Sequence, residues 1–563
     1  MSDCATDPFE VIILGSGLGG TMLAAVLARQ GRRVLILEAG QHPRFAIGES
    51  TTPSATVLFK ILGERFDVPE ITALGDFHSG VASFGTAHGL KQGFSFLFHE
   101  DGCLQDPAQS QQLPTIAALG SDIHLYRQDC DAAMLAAATR YGATVKQGVG
   151  PYEVEIHAEG VRVVTASGAT YRGAFIVDGT GSRSRLAELL DLREQPCGFA
   201  TQSRSIFGHV VGLTPYDALS AHTRHGFSYP VHQTTLHHLF DGGWFWVIPF
   251  DNHPTSSNPV CSVGLTLDCR FHPPGQSEPA FEEFARFVQR FPSIAAHFSA
   301  SKAVREWVST PPLQYSSRKV CGARWALLPH SAAFVDPLFS AGLAQTAAAV
   351  YDLGLALDGS GNVVRDDYGA ALQASLSTVD RLVSTSYEAL HRGHEVWNAW
   401  YRVWVMGSLI GPYVQLVGLS RYYASGDKAE LDRVRGPELR SLLGFGIPAL
   451  ARVLDDCECL VKDGRLGNDE VARRIERRVN EVDFLGKRTG FSDISRRGLA
   501  PFTLAHSLHF AIQQPRLLKP HLPTLGDASA LGIFRHEIRK TGTRVGRAMV
   551  DALRPLRRLV ATG

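Results

Sequence analysis

Hydrophobic positions follow different rhythms in different stretches of the chain. Near the start, Phe9-Glu10-Val11-Ile12-Ile13-Leu14 is a continuous apolar run rich in branched residues, which predicts a strand buried on both faces. Thr21 to Gln30 then carries apolar residues at helical spacing, and Arg33-Val34-Leu35-Ile36-Leu37 predicts a second strand with Glu38 at its carboxyl end. Tyr126 opens a further helix, with Asp129 or Asp131 suited to its first turn, and Phe175 to Asp178 closes another strand. Elsewhere the rhythm is two: Phe94, Phe96 and Phe98 repeat on one face, and Ser262 to Leu267 alternates. Thr234 to Phe240 and Gly243 to Pro249 flank Asp241-Gly242, a strong hairpin signal. From about residue 360 helical periodicity dominates, with Leu372, Leu376, Val379 and Val383 sharing a face. Trp397, Trp400, Tyr401 and Trp404 fall on such helices and read as packing residues. Val403 to Leu419 is weakly charged but contains Gly407, Gly411, Pro412 and Gln415. A bilayer span needs about 20 mostly apolar residues, so this stretch reads as a buried helix or helix pair and no membrane contact is expected.

These rhythms predict an α/β protein with a Rossmann-like nucleotide-binding domain from residues 1–80, 120–200 and 321–358. An inserted β-sheet substrate domain takes 81–119 and 201–320, and a helical C-terminal region takes 359–563. The 563 residues are too many for one ordinary domain. Lys plus Arg equals Asp plus Glu at 55 each, so no basic surplus exists to neutralise a nucleic-acid backbone. The nine cysteines are scattered apart from Cys457 and Cys459, and no spacing suggests a zinc site. His237-His238 point to opposite strand faces, which argues against metal ligation there. No secretory segment precedes the first strand, so reduced thiols in a cytoplasm are expected. Arg554 to Arg558 reads as a solvated helix end.

The chemistry begins at Gly15-Ser16-Gly17-Leu18-Gly19-Gly20, between the first strand and the first helix. Gly15 permits a tight turn, Gly17 lets backbone approach a pyrophosphate at the helix N-terminus, and Gly20 lets helix and strand pack closely. Glu38 is placed to accept hydrogen bonds from a ribose. A lone GxGxxG is weak, but here the whole strand–turn–helix–strand–acid context is present. It binds a dinucleotide without saying which. The loop His42 to Ser50, the Tyr126-Arg127 helix start and the Asp178-Gly179-Thr180-Gly181 turn add separated polar sites, which suit a long ligand such as extended FAD.

At these residues the chain resembles the aromatic-hydroxylase-type flavoproteins, whose DGxxSxxR motif is matched by Asp178, Gly179, Ser182 and Arg185. Arg127 aligns with that family's flavin-contacting arginine. Within it, the chain resembles the flavin-dependent halogenases. Gly48-Glu49-Ser50 is similar to their flavin loop, and Trp244-Phe245-Trp246-Val247-Ile248-Pro249 reproduces their WxWxIP motif. Asp336-Pro337-Leu338-Phe339-Ser340-Ala341-Gly342-Leu343 resembles their halide loop, and His88 to His99 the segment carrying their lysine, here Lys91. The likeness is nearest to the branch serving pyrrolnitrin and chlortetracycline assembly, with shared stretches such as Gln202 to Phe207. One departure stands at Leu328-Pro329-His330-Ser331, where the wider family has a Gly-Asp pair that grips the flavin ribityl chain.

The resemblance implies FAD held by Gly15, Gly17, Gly20, Glu38, Glu49, Ser50, Arg127, Asp178 and Asp336, and chloride or bromide held by the peptide groups of Ala341 and Gly342. Trp244 and Trp246, on one strand face, would partition flavin from organic substrate. Lys91 would take up oxidised halogen beside an aromatic ring. Taken alone, a lysine is ordinarily a solvated charge, a tryptophan pair ordinarily fills a core, and Asp-Pro ordinarily marks a turn. The apolar strip beside Lys91 favours its desolvation and a lowered pKa. The chain holds no second GxGxxG, so reduced flavin is expected from a separate NAD(P)H-dependent reductase. The implied reaction is halogenation of a small electron-rich aromatic, with pyrrole and phenol both open and carrier tethering undecided. The alternative is FAD-dependent aromatic hydroxylation, and a non-catalytic flavin binder is a distant third.

Overall fold

The computed structural model describes residues 8–115, 120–150, 152–274, 278–358, 366–435, 442–482 and 492–497. The buried apolar runs near the start pair in parallel, as expected for strands covered on both faces. Phe9–Leu14 lies between Val34–Glu38 and Thr170–Asp178, with Thr144–Gln147 beyond the former and Trp325–Leu327 beyond the latter. Helix Leu18–Arg29 makes the first crossover and packs against Arg127–Arg140 and Gly342–Ala356. The glycine turn that joins strand to helix is sterically committed. A Cβ on Gly15, at φ +88°, would meet the Gly179 carbonyl oxygen at 2.7 Å, and one on Gly20 would meet the Gly15 oxygen at 2.3 Å. At Gly17 the nearest atom to such a Cβ is the Arg44 guanidinium at 3.7 Å, so the space before it is left clear.

This contrast yields a prediction. Gly20→Ala should cost about 2–3 kcal/mol of folding stability by overpacking, seen as a lowered melting temperature without added flavin. Gly17→Val should melt like the wild-type apoprotein yet retain no FAD on gel filtration. Equal melting temperatures for the two variants would refute the assignment of roles.

The second sheet has the two-residue rhythm. Ser203–Val211, Cys261–Asp268, Gly243–Pro249, Thr235–Phe240, Gly93–Phe98 and Ser110–Pro114 lie in that order, antiparallel except for the parallel pairing of Thr235–Phe240 with Gly93–Phe98. The Asp241-Gly242 turn makes the predicted hairpin, with Gly242 at φ +83°. The segment His88 to His99 is not one strand. It breaks at Gly93, where φ is +134° and the Leu113 carbonyl oxygen would lie 2.1 Å from a Cβ. Gly89–Lys91 therefore leaves the large sheet and forms a separate ladder with Asp122–His124. Lys91 sits where the two sheet regions are stitched together.

Helices Asp366–Arg392, His394–Ser425, Pro448–Lys462 and Asn468–Val482 are the long helices in the described part of the C-terminal region. The stretch Val403 to Leu419 is one helix, with Pro412 inside it. His394–Ser425 is long and apolar enough to cross a membrane, and its most apolar stretch is wholly buried within the protein. Its glycines have a packing reason: a Cβ on Gly407 would meet the Leu443 carbonyl oxygen at 2.7 Å, and one on Gly411 the Leu442 oxygen at 3.2 Å. Trp397, Trp400, Tyr401 and Trp404 are buried, and the Trp397 and Trp400 indoles donate to Gln111 Oε1 and Ser386 Oγ. The Arg554 to Arg558 run lies outside the described residues.

Candidate active site

A cavity of about 390 Å³ opens where the carboxyl ends of the parallel strands meet the second sheet, the usual place for a ligand in such folds. Its nucleotide end is built by Gly17 to Gly20, Arg44 and Gly179 to Gly181. Glu38 Oε2 accepts from Ser16 N–H (2.8 Å) and Ser16 Oγ (2.6 Å), and Oε1 from Gly40 N–H (2.8 Å). Burial alone would raise this carboxyl, but those donors and Arg44 at 3.7 Å hold it below its ordinary value. Arg44 Nε is buried without a partner beside the cleared space at Gly17. A free buried donor next to an anion-ready helix start fits the diphosphate of FAD. Sequence reasoning passed over Arg44, whose only signal was a basic residue in a patternless loop after the second strand.

The other expected flavin residues divide into those that face the cavity and those that brace it. Asp178 does not line it. Its carboxylate is taken up by Thr180 N–H and Oγ1, Ser184 Oγ and Leu186 N–H, so it shapes a turn whose backbone, Gly179 to Gly181, faces the ligand space. Arg127 lines the cavity, but its guanidinium is paired with Asp131 (2.7 and 2.9 Å) and donates to the carbonyls of Ile47 (2.6 Å) and Gly48 (3.1 Å). It pins the Gly48-Glu49-Ser50 loop. Asp129 occupies the first helical turn, and Asp131 is the arginine's anchor. Glu49 lines the cavity with its carboxylate fixed by His209 Nε2 (3.0 Å) and Ser262 Oγ (2.9 Å). His330, in the stretch that departs from the family's Gly-Asp pair, lies on the cavity wall; burial, with Arg127 nearby, pushes it down to about 4, so it presents a neutral imidazole. These residues fit FAD.

Asp336-Pro337 makes a turn that leads into helix Gly342–Ala356, and this turn borders the cavity. Ser340 adopts φ +51°, and Ala341 caps the helix. Ser340, Ala341 and Gly342 all line the cavity. The absence of a side chain at Gly342 admits the His330 ring, whose Nε2 would lie 2.8 Å from a Cβ there. Trp244 and Trp246 face the same cavity with ring centroids 5.9 Å apart. Trp246 lies flat across Gly264 of the neighbouring strand. His237 shares this face, stacked on Phe96 at 4.7 Å, whereas His238 points behind the sheet to His99 and His297. Among the described residues no group of three metal-binding side chains gathers.

Lys91 is fully buried. Its Nζ donates to Ser50 Oγ (2.7 Å) and to the Thr51 carbonyl, and lies 3.5 Å above the Phe94 ring. Ser50 and Thr235 line the cavity, so the amine meets it through a hydroxyl. Ser50 Oγ bonds Thr235 Oγ1 (2.8 Å), which bonds His124 Nε2 (2.9 Å), and His124 Nδ1–H donates to the Pro249 carbonyl (3.0 Å). That last bond fixes the tautomer, so Nε2 is an acceptor and the hydroxyls point from Ser50 to Thr235 to His124. Directly across the ladder stands Asp122, buried, with Oδ1 taken by Thr56 Oγ1 (2.7 Å) and Oδ2 without a partner. Burial pushes the Lys91 amine well below the usual lysine range, against the pull of Asp122, and pushes Asp122 up, against the pull of Lys91 and Thr56. Asp122, Thr235 and His124 carried no sequence signal, because nothing local ties them to Lys91.

The NAD(P)-binding Rossmann-like domain family matches residues 13–68, and the tryptophan halogenase family matches residues 104–403. The chain is 38% identical to the tetracycline 7-halogenase of Kitasatospora aureofaciens, over 88% of this chain and 90% of that one. It is 38% identical to the monodechloroaminopyrrolnitrin halogenase PrnC of Pseudomonas fluorescens, over 86% of each. The crystal structure of halogenase PltM in complex with phloroglucinol and FAD matches with a TM-score of 0.83 at 32% identity, covering 87% of this chain and 99% of that one. A family match spanning more than half of the chain, and relatives alike along nearly their whole lengths, place this protein in the tryptophan halogenase family as a flavin-dependent halogenase that uses FAD and a halide.

Proposed function

We propose that this enzyme installs chlorine or bromine on a small, electron-rich aromatic, a pyrrole or a phenol, in natural-product assembly, with Lys91 as the residue that delivers the halogen. The observation that carries the reading is the Lys91 amine: wholly buried, desolvated and hydrogen-bonded to a hydroxyl of the cavity wall. FAD, reduced and exposed to dioxygen, supplies the oxidising equivalents that turn halide into hypohalous acid. The chain's own residues do the rest. The peptide groups around Ala341 and Gly342 hold the halide without a charged side chain. Trp244 and Trp246 form a bulky wall that admits small species and keeps the organic ring away from the oxidant.

At Lys91 either protonation state serves. The ammonium polarises hypohalous acid by donating a hydrogen bond; the free amine takes its halogen, forming an N–halogen bond and releasing water. Both set electrophilic halogen beside the ring carbon, a proximity effect. The names of the two 38%-identical relatives, with the phloroglucinol bound by PltM, support pyrrole and phenol as ring classes. Reduced flavin arrives from a separate NAD(P)H-dependent reductase, the substrate is a free small molecule, and the enzyme works in the cytoplasm. The test incubates enzyme, FAD, reductase and NADH with a panel of pyrroles and phenols, with and without chloride. The expected result is a halide-dependent product with the chlorine isotope pattern; a halide-independent gain of one oxygen would make the enzyme a hydroxylase instead.

A further inference from the structure

Trp244 does more than fill space. Its Nε1–H donates to the Tyr387 hydroxyl (3.1 Å), and that hydroxyl donates to Asp336 Oδ2 (3.0 Å). The direction is forced, because an indole N–H can only donate and a carboxylate can only accept. The same Oδ2 accepts from Ser203 Oγ (2.5 Å), itself held by Gln314 Nε2 (2.8 Å), while Oδ1 accepts Leu338 N–H (2.9 Å). All of these groups are buried or half-buried, and Tyr387 is 2% exposed. Tyr387 comes from helix Asp366–Arg392, outside both sheets, yet its one oxygen joins the tryptophan wall to the turn that ends at Ala341 and Gly342.

We propose that Tyr387 is a positioning residue for halogenation: its hydroxyl sets the indole of Trp244 in register with the Asp336–Gly342 turn, so that halide placement and the partition of oxidant from substrate are fixed together. This rests on the roles given above to Trp244 and to Ala341 and Gly342. Removing the hydroxyl leaves a buried indole N–H unpaired and Asp336 Oδ2 one donor short, and each end is then free to settle independently.

The test is Tyr387→Phe in the holoenzyme with its reductase. Chloride KM should rise about five- to ten-fold, the size set by one lost buried hydrogen bond. The share of reducing equivalents recovered as halogenated product should fall and peroxide should rise, with FAD affinity unchanged. A role confined to folding would lower the melting temperature without moving chloride KM or the peroxide share. If Tyr387→Phe does not fold, Trp244→Phe replaces it. That substitution removes the indole donor of the same bond, and the inference then requires chloride KM and the peroxide share to rise together. Chloride KM and product share equal to wild type overturn the inference. Lys91→Met, run in parallel, tests the proposed delivery of halogen separately: if it still halogenates, that reading fails, whereas an unmoved chloride KM in Tyr387→Phe counts against the tyrosine alone.

Discussion

Lys91→Met is expected to abolish halogenation, by more than about 10³-fold given the scale of proximity effects, while flavin oxidation in the presence of dioxygen continues and ends in peroxide. Methionine is one atom shorter than lysine and leaves an apolar end facing Phe94, whose ring the amine overlies in the native protein, but it has no nitrogen to hold halogen. The same substitution should make the protein more stable at neutral pH. The native Lys91 amine has a pKa depressed by burial, whereas in the unfolded chain it returns to its ordinary value of 10.5. Where the unfolded state binds more protons, stability rises with pH, so the burden of the buried amine is greatest below its native pKa and fades as pH climbs toward 10.5. Methionine removes that burden. A gain in stability at pH 7 that shrinks by pH 10 follows from the direction of the shift. Product mass, peroxide yield and thermal melts at the two pH values check it; halogenated product above a tenth of wild type, or a variant less stable at pH 7, would contradict the assignment.

A second large effect is acid unfolding near pH 5. His88, His99, His124, His225, His237, His238 and His297 are all buried. Burial pushes His88 and His225 down to about 4, His99, His124, His237 and His297 to about 3, and His238 well below its ordinary 6.5. A native pKa below the unfolded 6.5 means that the unfolded chain takes up protons first as pH falls, and stability is lost from 6.5 down to about 3–4. Each group withdraws about 1.4 kcal/mol per pH unit in that window. Acting together, and even halved for local hydration, they remove about 5 kcal/mol per unit, against a total stability of about 5–15 kcal/mol. Asp122 and Asp336, both raised to about 6 by burial, work in the opposite sense but are far outnumbered. Tryptophan fluorescence and far-ultraviolet circular dichroism between pH 8 and 4 should show one cooperative loss of structure. Native signals at pH 4.5 would mean that these imidazoles are paired or hydrated in solution.

Lys91 and the cluster behind it show where sequence reasoning reached its limit. The apolar strip of Phe94, Phe96 and Phe98 predicted desolvation, and the amine is buried over Phe94. Its polar partners could not be read, because Asp122 arrives by a ladder that exists only after the chain breaks at Gly93. Asp178 and Arg127 were recognisable as motif residues, yet their side chains are spent on Thr180, Ser184 and Asp131, and the backbone they brace faces the ligand space.

What the sequence determined by itself is whatever depends on a few adjacent residues. The glycine turn between strand and helix, the Asp241-Gly242 hairpin and the shared face of Trp244 and Trp246 follow from local dihedral freedom and the two-residue alternation of a strand. The tertiary structure decided that Val403 to Leu419, legible as a buried helix or helix pair, is a single helix, with the backbone of Leu442 and Leu443 packed against Gly407 and Gly411. It likewise decided the bond from Trp244 to Tyr387, 143 positions away, and the charge state available to Lys91. Desolvation and pairing are properties of the space around a group, and that space is assembled from parts of the chain that carry no mark of one another.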